Sequence, residues 1–206
     1  MALAPNIKIA LGMLVPASDM KQLNIDVDCL NAIQQKIWEH LFKILQRSPL
    51  VGNFPDVGWQ YKPSDITDRD LVVYFVRNSM KSVIKRVVGT TNTHVGGLTA
   101  IGSPKGTISE VYIENNFPPE KLGNMAFHEL MHNKLQMDNS MHNIHGMGVG
   151  VSPATECSIL TPVDIARMAG RLTTPVKQYA DELTGDVPAK FFIRKTDSGV
   201  KFFCNP

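Results

Sequence analysis

The chain has 206 residues, of which 43% are hydrophobic and 19% are charged, so it can bury a core and is not a disordered chain. Its net charge of +2 is too small for a protein that binds nucleic acid through charge alone. The three cysteines are far apart and form no CxxC pair, which excludes a cysteine-based zinc finger and a disulfide scaffold.

The first half of the chain is predicted to supply three strands and one long helix. Apolar residues 7–15 predict a buried strand, and apolar side chains at helical spacing predict a helix over 26–46. A short strand is predicted over 57–61. The β-branched and aromatic run at 70–77 predicts a strand that is buried on both faces. The basic residues of 78–92 are expected to form a solvated face.

The second half is predicted to supply two strands, two helices and a terminal hairpin. Asn116 is expected to cap the first of these helices, with two prolines in its first turn, and Thr161 is expected to cap the second. This order predicts the α+β class, with a mixed, mostly parallel sheet. We expect one domain over 1–206, with a sheet subdomain over about 1–135 and a second over about 136–206. The predicted segments are strands over 95–101 and 108–114, a helix over 119–135, a loop over 138–152, a helix from 161 and a hairpin over about 190–204.

Neither a membrane span nor a signal peptide is recognised in the sequence. No uninterrupted apolar run reaches the roughly 18–20 residues that a bilayer span needs. The apolar start has no positive region before it, and Lys8 interrupts it. We therefore expect a protein that is cytoplasmic or is exported by a route independent of a signal peptide. Motifs for phosphate or nucleic-acid binding are not found either.

Four of the six histidines lie between His128 and His145, and two of them form an HExxH motif. Because residues four apart project from one face of a helix, His128 and His132 can bind one zinc ion. Glu129 is then placed to accept a proton from water and pass it to a leaving group. The predicted helix supplies the context that this motif requires.

A catalytic zinc site needs a third protein ligand and one open position for water. The chain offers several candidates after the motif. Asp138 follows His132 by six residues, His142 and His145 lie in the same loop, and Glu156 and Asp164 lie further on.

The chain from residue 7 to residue 172 resembles the zincin metallopeptidases, and most of all the metzincins. Their motif reads HExxHxxGxxH, with aspartate last in some members, and residues 128–138 match it except at Leu135, where the family has glycine. The resemblance implies a zincin-like sheet, one zinc ion, a protein or peptide substrate and Asp138 as third ligand. Leu135 does not favour the sharp turn that glycine allows, so His142 and His145 stay alternatives. Glu156 is the alternative that the glutamate-zincins suggest.

The same resemblance implies three further features. Met147 is the candidate for the methionine turn beneath the metal. Strand 95–101 would be the edge of the substrate cleft, to which an extended peptide adds as a further strand. Gly96 and Gly97 would leave room there for a substrate backbone. Tyr112 is a candidate for stabilising an oxyanion.

Two other functions stay open at this point. The first is a zinc-dependent amidase that acts on cell-wall or other non-protein amides, as an enzyme of phage or effector type would. The second is a binding module that a metal stabilises and that does not catalyse. Glu129 argues against the second, since a purely structural site needs no base and usually closes its fourth position.

Overall fold

The structure is a computed structural model, and it describes most of the chain in ten segments. These segments are residues 7–15, 17–47, 55–60, 70–89, 96–113, 117–143, 149–150, 158–179, 191–196 and 199–204. The elements are β1 Lys8–Met13, α1 Ala17–Gln22, α2 Val27–Gln46, β2 Asp56–Gln60, β3 Leu71–Val76, α3 Val83–Val88, β4 Gly97–Ala100, β5 Ile108–Tyr112, α4 Pro119–Leu135, α5 Pro162–Ala169, β6 Phe191–Thr196 and β7 Gly199–Cys204, with 3₁₀ turns at Ser79–Lys81 and Asn139–Asn143.

Five strands form one sheet in the order β2-β1-β3-β5-β4. The first four strands of this order are parallel to their neighbours, and β4 pairs antiparallel with β5 at the edge. The prediction of an α+β fold with a mixed, mostly parallel sheet is therefore confirmed. Strands β6 and β7 form the predicted terminal hairpin.

The two faces of this sheet are covered by different elements. Successive side chains of a strand point to opposite faces, so β3, which is buried along its whole length, contributes to both. Its odd-numbered residues pack in the core with α2, α4 and α5. Its even-numbered residues pack with α3 and with Tyr179. We call these the α4 face and the α3 face.

Helix α4 has the predicted bounds, but its N-terminus is built differently from the prediction. Pro118, not Asn116, is the N-cap residue, and it provides no side-chain hydrogen bond; Asn116 lies outside the described residues. At the other end, Gln136 adopts a left-handed conformation with φ of 53°. The chain therefore turns immediately after Leu135, without the glycine that usually allows such a turn.

The other predicted helices are confirmed, and two short ones were not predicted. Asp26 caps α2 through the N–H of Cys29, and Thr161 and Asp164 form a capping box at the start of α5. Helices α1 and α3 have six residues each. Sequence periodicity is weak over so few residues, which is why neither was predicted. Within the described ranges, no helix combines the length and the apolar character that crossing a bilayer requires.

Candidate metal centre

Three histidine side chains converge on one point at the C-terminal end of α4. The Nε2 atoms of His128 and His132 lie 3.1 Å apart, and the Nε2 atom of His142 lies 3.1 Å from the first and 2.9 Å from the second. The first two histidines lie one turn apart on α4, and the third comes from the 3₁₀ turn Asn139–Asn143. His128 and His132 are buried, while His142 is partly exposed.

The outer ring nitrogens of two of these histidines are fixed by backbone carbonyls. Nδ1 of His128 donates to the carbonyl oxygen of Val149, and Nδ1 of His132 donates to that of Met137, both at 2.7 Å. A carbonyl oxygen only accepts, so the proton of each neutral ring is on Nδ1 and the lone pair is on Nε2. Two lone pairs therefore face each other at 3.1 Å, an arrangement that a cation between them would stabilise.

Burial keeps these imidazoles neutral. Removal from water, with the neighbouring His132 ring adding to it, lowers the pKa of His128 from 6.5 to about 3. Burial also lowers the pKa of His132 and of His142. Neutral imidazole is the form that binds a metal ion, so the site does not have to lose protons before it binds one.

The donor set fits a zinc ion. In a tetrahedral site with Zn–N bonds of about 2.0–2.1 Å, ligand nitrogens are about 3.3–3.4 Å apart. The three Nε2–Nε2 distances are shorter than this by only a few tenths of an ångström. Metal-binding histidines in proteins usually donate their second nitrogen to a carbonyl or carboxylate, as His128 and His132 do here.

His142, and not the expected Asp138, joins the two motif histidines. The Asp138 side chain is exposed and accepts a hydrogen bond from the N–H of Ser140 at 2.9 Å. This bond lowers the pKa of the Asp138 carboxyl. The physical reason is the turn at Gln136, because the chain then enters the 3₁₀ turn, where Asp138 acts as a cap and His142 points inward.

Three other candidates cannot be placed. His145, Met147 and Glu156 lie outside the described residues, so their roles as ligand or methionine turn stay predictions. Asp164 has a structural role, since its carboxylate accepts hydrogen bonds from Thr161 in the capping box of α5.

Glu129 is buried on α4 directly after the first histidine, and its carboxylate faces strand β4. Its Oε2 atom accepts a hydrogen bond from the hydroxyl of Thr99 at 2.7 Å. Burial raises the pKa of Glu129 to about 8, against the opposing effect of the Thr99 hydrogen bond. A Cβ atom on Gly97 would lie 2.6 Å from Oε1 of Glu129. Gly97 thus makes room for this carboxylate, which corrects the expectation that it makes room for a substrate.

One sequence assignment on β5 is wrong, and two residues that contact Glu129 were not predicted. Tyr112 is buried on the α3 face, where its hydroxyl donates to Glu110, so it is not placed to stabilise an oxyanion at the metal centre. Thr99 and Ser109, which contact Glu129, were not singled out from the sequence. Strand alternation places Gly97 and Thr99 on one face, but it does not say which face α4 covers.

Comparison of the chain with protein-family models, with curated proteins and with solved structures finds no significant match to any of them. The case for a function therefore rests on the geometry of the three histidines and Glu129.

Proposed function

We propose that the protein is a zinc-dependent hydrolase that cleaves peptide bonds. The main support is the convergence of three neutral imidazole nitrogens, with a buried glutamate directly after the first of these histidines on the same helix. Structural zinc sites have four protein ligands, whereas catalytic sites usually have three and keep one position open. The three histidines found together in the described ranges match the second pattern.

In this proposal the three histidines bind the metal ion and Glu129 transfers the proton. His128, His132 and His142 would hold the ion through Nε2. A bound zinc ion supplies Lewis acidity, since it lowers the pKa of a coordinated water to about 7 and polarises a carbonyl oxygen. The charge of a bound zinc ion would favour the ionised form of Glu129, which burial alone disfavours. That carboxylate would accept a proton from the attacking water and deliver it to the leaving nitrogen. The burial of Glu129 keeps bulk water away from this proton transfer.

Strand β4 favours a peptide over a smaller amide as the substrate. It lies at the edge of the five-stranded sheet, next to Glu129. An extended peptide can add to such an edge through main-chain hydrogen bonds. A small non-protein amide has no extended main chain that could pair with this strand.

Metal content and cleavage test this proposal together. We expect about one zinc ion per chain by elemental analysis after dialysis. A peptide library derived from a proteome digest should be cleaved by the zinc-loaded protein, with products identified by mass spectrometry. Glu129→Gln should keep the zinc and lower the rate by about 10²–10⁴-fold, because the general base is lost.

Glu39→Gln is the matched control, since Glu39 lies on α2 and its side-chain hydrogen bond among the described residues is within that helix, from Gln35. It should cleave like the wild type. Absence of bound zinc, with no effect of zinc on the melting temperature, would contradict the metal site. Cleavage by Glu129→Gln at the wild-type rate would exclude Glu129 as the base. Activity on acylated amino acids or cell-wall fragments, and none on peptides, would favour the amidase instead.

A further inference from the structure

Strand β4 contacts the Glu129 carboxylate at two positions. Gly97 and Thr99 are two residues apart, so they face the same side of the sheet, toward α4. The Thr99 hydroxyl contacts Oε2 at 2.7 Å, and the absent side chain of Gly97 leaves the space next to Oε1. Strand β4 therefore determines the positions of both carboxylate oxygens of Glu129.

The Thr99 hydroxyl has one proton to donate and three acceptors within reach. Oε2 of Glu129 is nearest at 2.7 Å, followed by Oγ of Ser109 at 3.0 Å and the Glu129 carbonyl oxygen at 3.1 Å. In the ionised form that a general base requires, the Glu129 carboxylate is a stronger acceptor than a hydroxyl or an amide carbonyl. The proton therefore goes to Oε2, and Thr99 is left to accept a hydrogen bond from Ser109.

A buried chain of hydrogen bonds through Asn133 and Gln178 supports this direction of the hydrogen bond from Ser109 to Thr99. Nδ2 of Asn133 donates to Oγ of Ser109 and to Oε1 of Gln178, each at 3.0 Å. Gln178 returns a bond from Nε2 to Oδ1 of Asn133 at 2.8 Å and also accepts from the N–H of Val72. Because the Asn133 amide donates to Ser109, the Ser109 hydroxyl can donate onward to Thr99 at 3.0 Å, which is nearer than its other acceptor, the Glu129 carbonyl oxygen at 3.4 Å.

The geometry points to Thr99 as the positioning residue for Glu129. Its hydroxyl holds Oε2, and Oε1 is the oxygen left to exchange a proton with water and substrate. Among the described residues, the Thr99 side chain is the one donor to this carboxylate. Ser109 and Asn133 support Thr99 from the sheet and from α4. This inference rests on the proposed function for its consequence, but the hydrogen bond itself can be tested without any substrate.

Three variants separate the hydrogen bond from the packing of the side chain. Thr99→Val keeps the shape and removes the hydroxyl, and Thr99→Ser keeps the hydroxyl and removes the methyl group. Ser82→Ala is the matched control, because the buried Ser82 hydroxyl also donates to a buried glutamate, but to Glu110 on the α3 face. Zinc content and melting temperature are measured for all three.

Carbon-13 NMR of the glutamate carboxyl groups at one fixed pH is the readout that needs no substrate. The chain has seven glutamates, and Glu129→Gln identifies the Glu129 resonance by its loss. We expect Thr99→Val to shift this resonance, and Thr99→Ser and Ser82→Ala to leave it unchanged. An unchanged Glu129 resonance in Thr99→Val would overturn the inference, whatever the activity.

Kinetics on the best peptide of the library give the second readout. For Thr99→Val we expect kcat to fall on the order of ten- to a hundredfold, with KM unchanged, because a misplaced base slows the proton transfer and leaves binding intact. Thr99→Ser should restore kcat. Equal losses in Thr99→Val and Ser82→Ala would show a general effect on the fold and overturn the inference. If the wild type cleaves no peptide, the proposed function fails, and the NMR result still decides the role of Thr99.

Discussion

The two faces of the central sheet each bury a glutamate, and the two carboxylates have different surroundings. On the α3 face, Glu110 accepts hydrogen bonds from the hydroxyl of Ser82 at 2.6 Å, the N–H of Ile84 at 2.8 Å and the hydroxyl of Tyr112 at 3.3 Å. On the α4 face, the Thr99 side chain is the one described donor to the Glu129 carboxylate.

The polar groups around Glu110 and the histidines of α4 also differ in how their hydrogen-bonding atoms are paired. Around Glu110 every acceptor faces a donor, so the groups satisfy one another and stabilise the fold. At the three-histidine cluster, the Nε2 lone pairs of His128 and His132 face each other, and Nε2 of His142 lies 3.1 Å and 2.9 Å from these two atoms. Two facing acceptors without a donor between them indicate a bound ligand, whereas acceptors that each receive a hydrogen bond indicate a structural role.

Removal of His142 should have the largest effect. Since His142→Ala leaves two of three ligands, we expect zinc affinity to fall by at least about a hundredfold. The rise in melting temperature on adding zinc should disappear as well, because that rise measures preferential binding to the folded state. Isothermal titration with zinc chloride and thermal melts measure the two quantities.

His40→Asn is the matched control for that experiment. His40 is also a buried histidine, but its Nε2 bonds to Asn124, and it is not part of the cluster. Its variant should bind zinc as the wild type does. Wild-type affinity in His142→Ala would mean that the three converging nitrogens are not the metal site.

Exchange of the two glutamates should separate stability from chemistry. In Glu110→Gln an amide group replaces one carboxylate oxygen and faces donors, so the free energy of unfolding should fall by about 1–3 kcal/mol. Zinc affinity and cleavage should stay within about twofold of the wild type, since no zinc ligand changes. Glu129→Gln should show the opposite pattern, with stability retained and cleavage lost. Urea unfolding and the peptide assay measure these effects, and a stability loss in Glu129→Gln alone would reverse the comparison.

The sequence predicted the elements of both faces better than it predicted the contacts between them. Helix α4 and strand β3 have strong local patterns, so their bounds were found within one residue or so. HExxH fixed two histidines and Glu129, because a spacing of four on a helix determines their relative position.

The third histidine and the partners of Glu129 depend on tertiary structure. Gln136 adopts a positive φ, which its residue type does not favour, and this turn decides that His142 enters the cluster. Thr99 meets Glu129 only because β4 pairs with β5 and α4 packs across both. Neither the pairing nor the packing angle can be read from the local pattern of one segment.

The smallest effect is expected for Asp138, which the family motif favoured as a ligand. Its side chain is exposed and bonds to the N–H of Ser140, at the start of the turn that presents His142. Asp138→Ala should therefore weaken zinc binding by less than about tenfold, the effect of a lost cap on a nearby ligand.

Asp138→Asn keeps an oxygen that can accept the Ser140 hydrogen bond, so it should restore the wild-type zinc affinity. A true ligand would behave differently, because both substitutions would remove its negative charge from the ion. If Asp138→Asn and Asp138→Ala each weaken zinc binding as much as His142→Ala does, Asp138 is a ligand and moves inward when the metal binds. A full recovery in Asp138→Asn would instead show that Asp138 acts only as the cap of the 3₁₀ turn. His142, which that turn carries, would then supply the third ligand that the metzincin motif takes from its last residue.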